Sequence, residues 1–320
     1  MSKLTAVILV NWNSFDCTRD CIKSLKAMPY VDYDIILVDN NSQDGSGERL
    51  SLEYPEVIYI KLPDNIGFTG GNNAGINYSL KHGYKYTLLL NNDTFVESDF
   101  LEILVNHLSE NQSVGAIQPK IYFNHNRKLL WNGGSWFNPW TGNDFVEGTG
   151  KKSSKTSEEL KEPDWLTGCA LMIRNDVIRK VGLLDESLFM YYEDVDYSFR
   201  IKQAGYSLIY HPKSIIYHIA GASTRAKEKG KEGFLNPIVH YYLIRNRIWF
   251  LKKYLKPSHK LTAGIMVSFY LTGTVMYFLL RRRFLKLNMT IKAIRDGING
   301  EMASQNGSDH SAGVKIIHSN

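Results

Sequence analysis

Cysteine is scarce in this 320-residue chain: Cys17, Cys21 and Cys169 are the whole complement. An odd count without regular spacing excludes a disulfide framework. Cys17 and Cys21 stand four apart in a predicted helix, and no further Cys or His pair completes a zinc pattern. Reduced thiols of the cytosolic kind are the expectation. A secretory leader is not evident either. The opening MSKLTAVILVNWNSFD has a short apolar run, Ala6 to Val10, then turns polar without a small-residue cleavage site, so it reads as a buried strand. The chain is therefore expected on the cytosolic side. No G-x-G-x-x-G and no G-x-x-x-x-G-K-[ST] occurs, and GFTGG at 67–71 is neither, which argues against nicotinamide cofactors and P-loop ATP chemistry. No internal repeat is visible.

Acidic residues are missing from 245–295, where twelve Lys and Arg fall, while the rest of the chain carries 26 basic against 32 acidic residues. A mildly acidic body followed by a basic region points to nucleic acid or to an anionic membrane surface. Charge of either sign is absent from LTAGIMVSFYLTGTVMYFLL (261–280), which KPSHK and RRRFLK flank. Twenty uncharged residues suffice to span a bilayer at a rise of ~1.5 Å each. Three threonines, two glycines and a serine moderate the apolarity, and basic clusters on both sides leave the orientation unset. A helix lying in the membrane surface is the preferred reading, beside a true span and a buried core or dimer helix, the last compatible with a homo-oligomer. A nucleic-acid groove has no need of such an apolar stretch, so a lipid surface is expected and nucleic acid is not.

What is present is an ordinary globular composition, 43% hydrophobic and 22% charged, long enough for one large α/β domain or two smaller ones. Strand-like pieces at 6–11, 34–39, 57–62, 86–91 and 114–119 alternate with helical pieces at 15–27, 47–53, 70–83 and 99–108. Such alternation predicts a doubly wound parallel sheet with right-handed crossovers. From Ile121 the alternation breaks, and 148–162 reads as a mobile loop. A strand is predicted at 164–174, helices at 175–182 and 193–205, and two short strands at YSLIY and SIIYHI. The segment 220–233 reads as flexible, 234–255 as an amphipathic helix rich in aromatics and arginines, and 300–320 as a disordered tail.

In an open parallel sheet, ligands bind beyond the carboxyl ends of the strands. Asn11, Trp12 and Asn13 follow the first strand, Asp39 and Asn40 the second, Pro63 to Asn65 the third, and Asn91, Asn92 and Asp93 the fourth. A rim of amides and carboxylates suits a sugar, a nucleoside and a divalent cation. Asp39 suits a pyrimidine imide N–H and Asp93 suits Mg²⁺ or Mn²⁺. Asp and Asn are also common caps and turn formers, so each alone has a structural explanation. Glu193, Asp194 and Asp196 crowd the first turn of a predicted helix, whose dipole favours ionised carboxylates. Glu193 and Asp196 share a face, while Asp194 points toward a cleft, as a base for a sugar hydroxyl or as ordinary capping. His218 lies on an apolar strand, where a core role is the simpler reading.

Seven stretches in order, VILVNWNS, ILVDNNSQDGS, DNIGFTGGNNAGI, LLLNND, WLTGCALMIR, LLDESLFMYYEDVDYSFR and YHIAGAST, resemble the inverting glycosyltransferases of the GT-A fold called family 2, over roughly 4–255. The nearest types are rhamnosyltransferase-like and galactofuranosyltransferase-like. The resemblance implies a GT-A catalytic domain at 1–233, with a nucleotide-sugar half at 1–120 and an acceptor half at 121–233. A basic helical, membrane-associating region at 234–299 would follow. Asp39 would bind the base beneath Asn11 to Asn13, and Asn65, Gly67 and Asn73 would shape the ribose and diphosphate pocket. NND resembles the family's D-x-D, with Asp93 as metal ligand, Asn91 and Asn92 beside the donor, and His218 completing the metal shell. Asn91 replaces the motif's first Asp, which removes one charge from the site. Glu193 and Asp194 resemble the family's acidic pair, the second carboxylate being the base. Trp165, Gly168 and Asp196 would line the acceptor side.

The implied reaction moves a hexose or deoxyhexose from a dTDP- or UDP-sugar to a glycan or polyprenyl-linked acceptor, with Mg²⁺ or Mn²⁺, at the inner face of the membrane. Two alternatives stand beside it. A sugar-1-phosphate nucleotidyltransferase would carry a Gly-rich basic loop near its N-terminus, which NWNSFDCTRD is not. A non-catalytic nucleotide-sugar-binding protein would be compatible with Asn91.

Overall fold

The computed structural model describes residues 3–221, 225–230, 232–300 and 315–317, the segments 225–230 and 315–317 by backbone alone. In chain order the elements are β1 (Thr5–Asn11), α1 (Phe15–Lys26), β2 (Tyr33–Asp39), α2 (Ser46–Glu53), β3 (Ile58–Lys61), α3 (Gly67–Lys81), β4 (Tyr86–Leu90), β5 (Thr94–Val96), α4 (Phe100–Glu110) and β6 (Val114–Phe123). Then come β7 (Asn126–Asn132), β8 (Ser135–Asn138), β9 (Asn143–Val146), β10 (Ala170–Arg174), α5 (Asn175–Val181), α6 (Glu193–Gln203) and β11 (Ser207–His218). The chain ends with β12 (Arg225–Gly230), β13 (Gly233–Leu235), α7 (Pro237–Tyr254), α8 (Pro257–Leu280), α9 (Phe284–Asn299) and β14 (Lys315–Ile317).

The main sheet runs β14-β3-β2-β1-β4-β10-β6-β11-β5, with β7 paired to β6. Strands β1 to β4 are mutually parallel, as the alternation predicts. Odd and even positions of β1 feed opposite layers: Val7 and Leu9 join one core with Cys21, Ile22 and Leu25 of α1, and Ala6 and Ile8 join another with Ile76 of α3. Each fully buried Ile or Leu there contributes about 1.5–3 kcal/mol relative to exposure. Helix α3 lies close on β1 because Gly75 has no side chain, since a Cβ there would stand 2.6 Å from Ile8.

Beyond β6 the strand directions differ from a purely parallel expectation. After the excursion through β7, β8 and β9, β10 inserts between β4 and β6 antiparallel to both. No helical crossover precedes it, so nothing forces the parallel direction. The two short strands expected near 206–219 are one strand, β11, with a register shift between His211 and Ile215. Pro212, which has no N–H for a ladder, lies within the irregularity. The 148–162 stretch has one 3-10 turn at Thr156–Glu158 and is tethered, with Lys161 paired to Glu147 and Lys120 to Glu158. Of the segment expected to be flexible, 225–230 pairs with 233–235 as a small hairpin, while 222–224 and 231 lie outside the described residues. Of the expected disordered tail, 301–314 and 318–320 also lie outside them, and 315–317 pairs antiparallel with β3.

These directions bring many chain segments to one edge of the sheet. The carboxyl ends of β1 and β2 meet there as the Asn11–Asp39 pair. Because β10 is antiparallel to β4, its first residue Ala170 pairs with the last of β4, Leu90, and the residues before β10 fall at the same edge. The end of β11, His218, pairs with Thr94 at the start of antiparallel β5, which sets Asp93 beside it. Helix α7 packs on this body through Phe250 and Leu251, which with Leu255 just beyond its end join Trp165 and Val195 in a third core. Helix α8 has a mean hydropathy of 1.7 over its most apolar 18-residue window, and only 17% of that window is buried. The core-helix reading of 261–280 is therefore not what this chain fold displays.

Candidate active site

At the ends of β1 and β2 the polar side chains bond chiefly to one another. Asn11 is fully buried and donates to Asp39 Oδ1 at 3.0 Å, Ser42 Oγ at 3.0 Å and Ser46 Oγ at 2.8 Å, and it accepts from Thr18 at 2.8 Å. Asp39 is also fully buried and accepts from Ser42 through both its N–H and its hydroxyl. Asn13, with a left-handed φ of 50°, accepts the N–H groups of Gln43 and Asp44. Asn11 and Asp39 thus build the floor under the 40–46 loop, with their polar atoms bonded to Ser42 and Ser46. Asn13 lies exposed above them.

The next turn is organised by Asn40, which stood in the strand-end rim but was given no binding role. Its amide donates to Asn65 Oδ1 and Gly67 O and accepts from Ile66 N, each at 3.0 Å. Gly67 opens α3 at φ 78°, where a Cβ would stand 2.6 Å from both the ring and the carbonyl oxygen of Phe189. Only glycine meets both conditions. Asn73 does not face this turn. It is buried and clamps the 184–186 segment, bonding Leu184 N and O at 3.0 Å each and Glu186 at 2.9 Å.

At the end of β4, Asp93 Oδ1 lies 3.0 Å from His218 Nε2, both side chains nearly buried. The Asn91 amide stands 3.5 Å from the same nitrogen, and Trp131 packs edge-on against the imidazole. Asn92 instead donates to Thr18 at 2.7 Å and so braces α1. His218 is therefore no simple core residue: a carboxylate oxygen and an amide converge on one ring nitrogen. One hard oxygen and one imidazole nitrogen fit a divalent cation, but no third His, Cys, Asp or Glu joins them among the described residues.

Two residues before β10 carry the link to the acidic pair. Asn91 donates its N–H to Cys169 O at 2.8 Å, and Gly168 donates its N–H to Asp194 Oδ2 at 2.9 Å. Asp194 Oδ1 accepts from Val195 N at 2.8 Å in the first turn of α6. Burial pushes the Asp194 carboxyl up to about 6, against these backbone donors, which favour the ionised form. Glu193 is more deeply buried, with no hydrogen-bond partner on Oε2. Burial first, and the Asp194 charge second, raise it well above the ordinary carboxylate range. Burial thus raises both carboxyls above their ordinary range, Glu193 being the more deeply placed of the two.

Gly168 also lies close to α3, since a Cβ there would stand 3.3 Å from Phe68. Trp165 is buried in the core beneath α7, with its indole N–H unpartnered. Asp196, expected on the acceptor side, is held by partners within the protein. It is fully buried, and its oxygens are taken by Arg200 at 2.8 Å, Lys253 at 2.7 Å and Tyr254 at 2.6 Å. This carboxylate docks α7 on α6 and has no oxygen left for a sugar. Arg200 is its i+4 neighbour on α6, but Lys253 and Tyr254 lie more than fifty residues downstream, so the acidic first-turn pattern gave no sign of those two.

The family model described as glycosyl transferase family 2 matches residues 6–182. The chain is 30% identical over 207 residues to the low-salt glycan biosynthesis hexosyltransferase Agl10 of Haloferax volcanii, covering 62% of this chain and 61% of that protein. It is 25% identical over 248 residues to the N-acetylglucosaminyl-diphospho-decaprenol L-rhamnosyltransferase of Mycobacterium tuberculosis, covering 70% and 78% respectively. The structure of GalNAc-T7 with UDP, GalNAc and Mn²⁺ superposes with a TM-score of 0.61 at 15% identity, over 94% of this chain and 58% of that one. The mannosyltransferase PcManGT from Pyrobaculum calidifontis, in complex with GDP-Man and Mn²⁺, gives 0.55 at 12% identity, over 94% and 88%. At those identities the likeness concerns the fold alone, which is GT-A. With its matched domain covering more than half the chain, the protein belongs to glycosyl transferase family 2.

Proposed function

We propose that the protein transfers a hexosyl or deoxyhexosyl group, of which rhamnosyl is the example favoured by its relatives, from a nucleoside-diphosphate sugar to a hydroxyl of a glycan or polyprenyl-linked glycan. The observation that carries this reading is the pair of adjacent residues Gly168 and Cys169, which tie Asp194 to one side and Asn91 to the other. A base and a cation-binding pair are thereby held at one sheet edge. Asp194 accepts the proton of the acceptor hydroxyl, whose oxygen forms a bond to the anomeric carbon. The bond from that carbon to the diphosphate oxygen breaks, and the nucleoside diphosphate leaves with the electron pair. Attack opposite the leaving group inverts the anomeric centre. Glu193 stands beside the base, its carboxyl raised well above the ordinary range by burial.

Asp93 and His218 would hold Mg²⁺ or Mn²⁺, which supplies charge neutralisation for the departing diphosphate. The Mn²⁺ in the complexes of GalNAc-T7 and PcManGT supports a divalent ion. A polyprenyl-linked acceptor is supported by the name of the mycobacterial relative. A peripheral place on an anionic, cytosolic membrane face is supported by α8, whose Leu261, Phe269 and Leu280 are 73%, 74% and 76% exposed, and by the adjoining Arg281, Arg282 and Arg283.

The test is release of nucleoside diphosphate from UDP-, dTDP- and GDP-sugars in Mn²⁺, Mg²⁺ or EDTA, with acceptor present. Turnover is expected with one nucleotide class, and Asp194→Asn is expected to lose about 10²–10⁴-fold while still binding donor. Donor binding without turnover in the unmodified protein would favour a nucleotide-sugar-binding role, the reading that Asn91 in place of an acidic ligand supports.

A further inference from the structure

The segment leading into the acidic pair is unusual in its backbone. Phe189, Tyr191 and Tyr192 all have left-handed φ, at 63°, 66° and 67°, and none is glycine. Each such residue is costly unless its surroundings over-determine it. Tyr192 caps α6, so this loop decides where Glu193 and Asp194 begin. It also touches the donor half, because Phe189 O accepts from the N–H of Thr69 at 3.1 Å and from its hydroxyl at 3.2 Å.

What holds the loop comes from α7, beyond the segment that the family model matches. Asn246 Nδ2 donates to three of its carbonyls, Leu188 at 3.0 Å, Met190 at 2.9 Å and Tyr191 at 2.8 Å. Arg245 Nη2 donates to Ser187 O at 2.8 Å and Leu188 O at 3.1 Å, and Arg245 Nε to Asn246 Oδ1 at 2.8 Å, which orients the amide. Both side chains are fully buried. The guanidinium lies near the rings of Tyr241 and Tyr242. Tyr242 in turn stacks on Phe189, with ring centroids 5.0 Å apart. A buried arginine held chiefly by carbonyls and aromatic rings is a costly way to fasten a loop. Apolar packing would serve stability as well, so the arrangement points to a requirement for exact placement.

We propose that Arg245 and Asn246 are positioning residues that set the Asp194 carboxylate against the start of α3, so that helix α7 is part of the reaction's machinery without touching substrate. The proposal rests on the glycosyl-transfer reading for its kinetic consequence but not for its structural one. Displacing Asp194 by about 1 Å is enough to lower transfer on the order of 10²-fold.

The test compares the full-length protein with Asn246→Ala and Arg245→Met, the second keeping an unbranched apolar stem in the cavity. Amide hydrogen exchange is read at Gly168 and Val195, the two N–H groups that hold Asp194. Donor turnover per folded molecule, nucleoside diphosphate affinity and the pH profile are measured alongside. Faster exchange at those two amides, kcat reduced about 10²-fold with diphosphate affinity nearly kept, and a displaced acid limb are expected. Unchanged exchange at both amides in both variants, or a kcat loss that only tracks the folded fraction with the acid limb in place, overturns the proposal. Faster exchange in a protein whose unmodified form turns over no donor upholds the positioning role and rejects the glycosyl-transfer reading instead.

Discussion

Gly168 donates its N–H to Asp194 Oδ2 at 2.9 Å, and its missing side chain leaves room for that contact. A Cβ at 168 would stand 3.3 Å from Phe68, 3.5 Å from Asp194 Cβ and 3.5 Å from Glu193 Oε1. Those distances ask a methyl group to displace its neighbours slightly and a branched side chain to displace them fully. Gly168→Ala is therefore expected to retain measurable transfer. Gly168→Val is expected to lose about 10²-fold or more, with donor binding less affected. Equal rates for the two variants would contradict the tight fit.

The pH dependence follows from Asp194. As a base it must be ionised, and its carboxyl is pushed up to about 6, so kcat/KM is expected to fall as pH drops through about 6. The stability effect has the opposite sign. A carboxyl whose folded-state value exceeds its ordinary one binds its proton more tightly in the native state, so its contribution to stability rises as pH falls from about 6 toward its ordinary range near 3.8. Asp194→Asn removes that contribution. Thermal melts of the two proteins at pH 7 and pH 5 should therefore show a smaller gain, or a larger loss, on acidification in the variant.

His218→Ala is expected to raise the Mn²⁺ concentration for half-maximal transfer by about 10–100-fold. Asp93→Asn, which removes the hard anionic oxygen, is expected to do more. The checking measurement is a metal titration of turnover at saturating donor. An unchanged metal requirement in His218→Ala would return this residue to the role of a packing partner for Trp131.

Charge reversal at Arg281, Arg282 and Arg283 is expected to weaken sedimentation with phosphatidylserine vesicles at low salt by roughly 1 kcal/mol per reversed charge or more. Turnover on a soluble acceptor analogue should be kept. Phe269→Asp should weaken binding at every salt concentration, because it acts on the apolar contact. Vesicle binding unaltered in both variants would remove α8 from the membrane interface.

Much of the donor half was legible. Short apolar runs buried on both faces alternate with helical stretches through 120, and each crossover there is local. The direction of β10 was not, because the excursion from Ile121 to Cys169 carries no periodic signal that says which way the chain returns. Asp93 and His218 were paired only through family likeness, since 125 residues separate them and only the antiparallel β5–β11 pairing brings them to 3.0 Å. Asp196 shows the limit most plainly. A carboxylate in the first turn of a helix can cap, catalyse or dock, and the decision here lies with Lys253 and Tyr254 on another helix. Asn11 was placed beside the donor as an amide at a strand end and Asn73 through family likeness, but both spend their hydrogen bonds inside the protein.

The Asn73 clamp has a consequence for how the molecule comes into being. Its amide reaches across 111 residues to Leu184, and Thr69 reaches across 120 to Phe189. A chain emerging from the ribosome completes β1 to β4 long before those partners exist, and Arg245 and Asn246 come later still. Contacts of such long sequence separation form late, after the local pairings have closed the loops between them. The local pairings of β1 to β4 are then expected to close first, and the bridges from Asn73 and Thr69 to 184–189 to close after them.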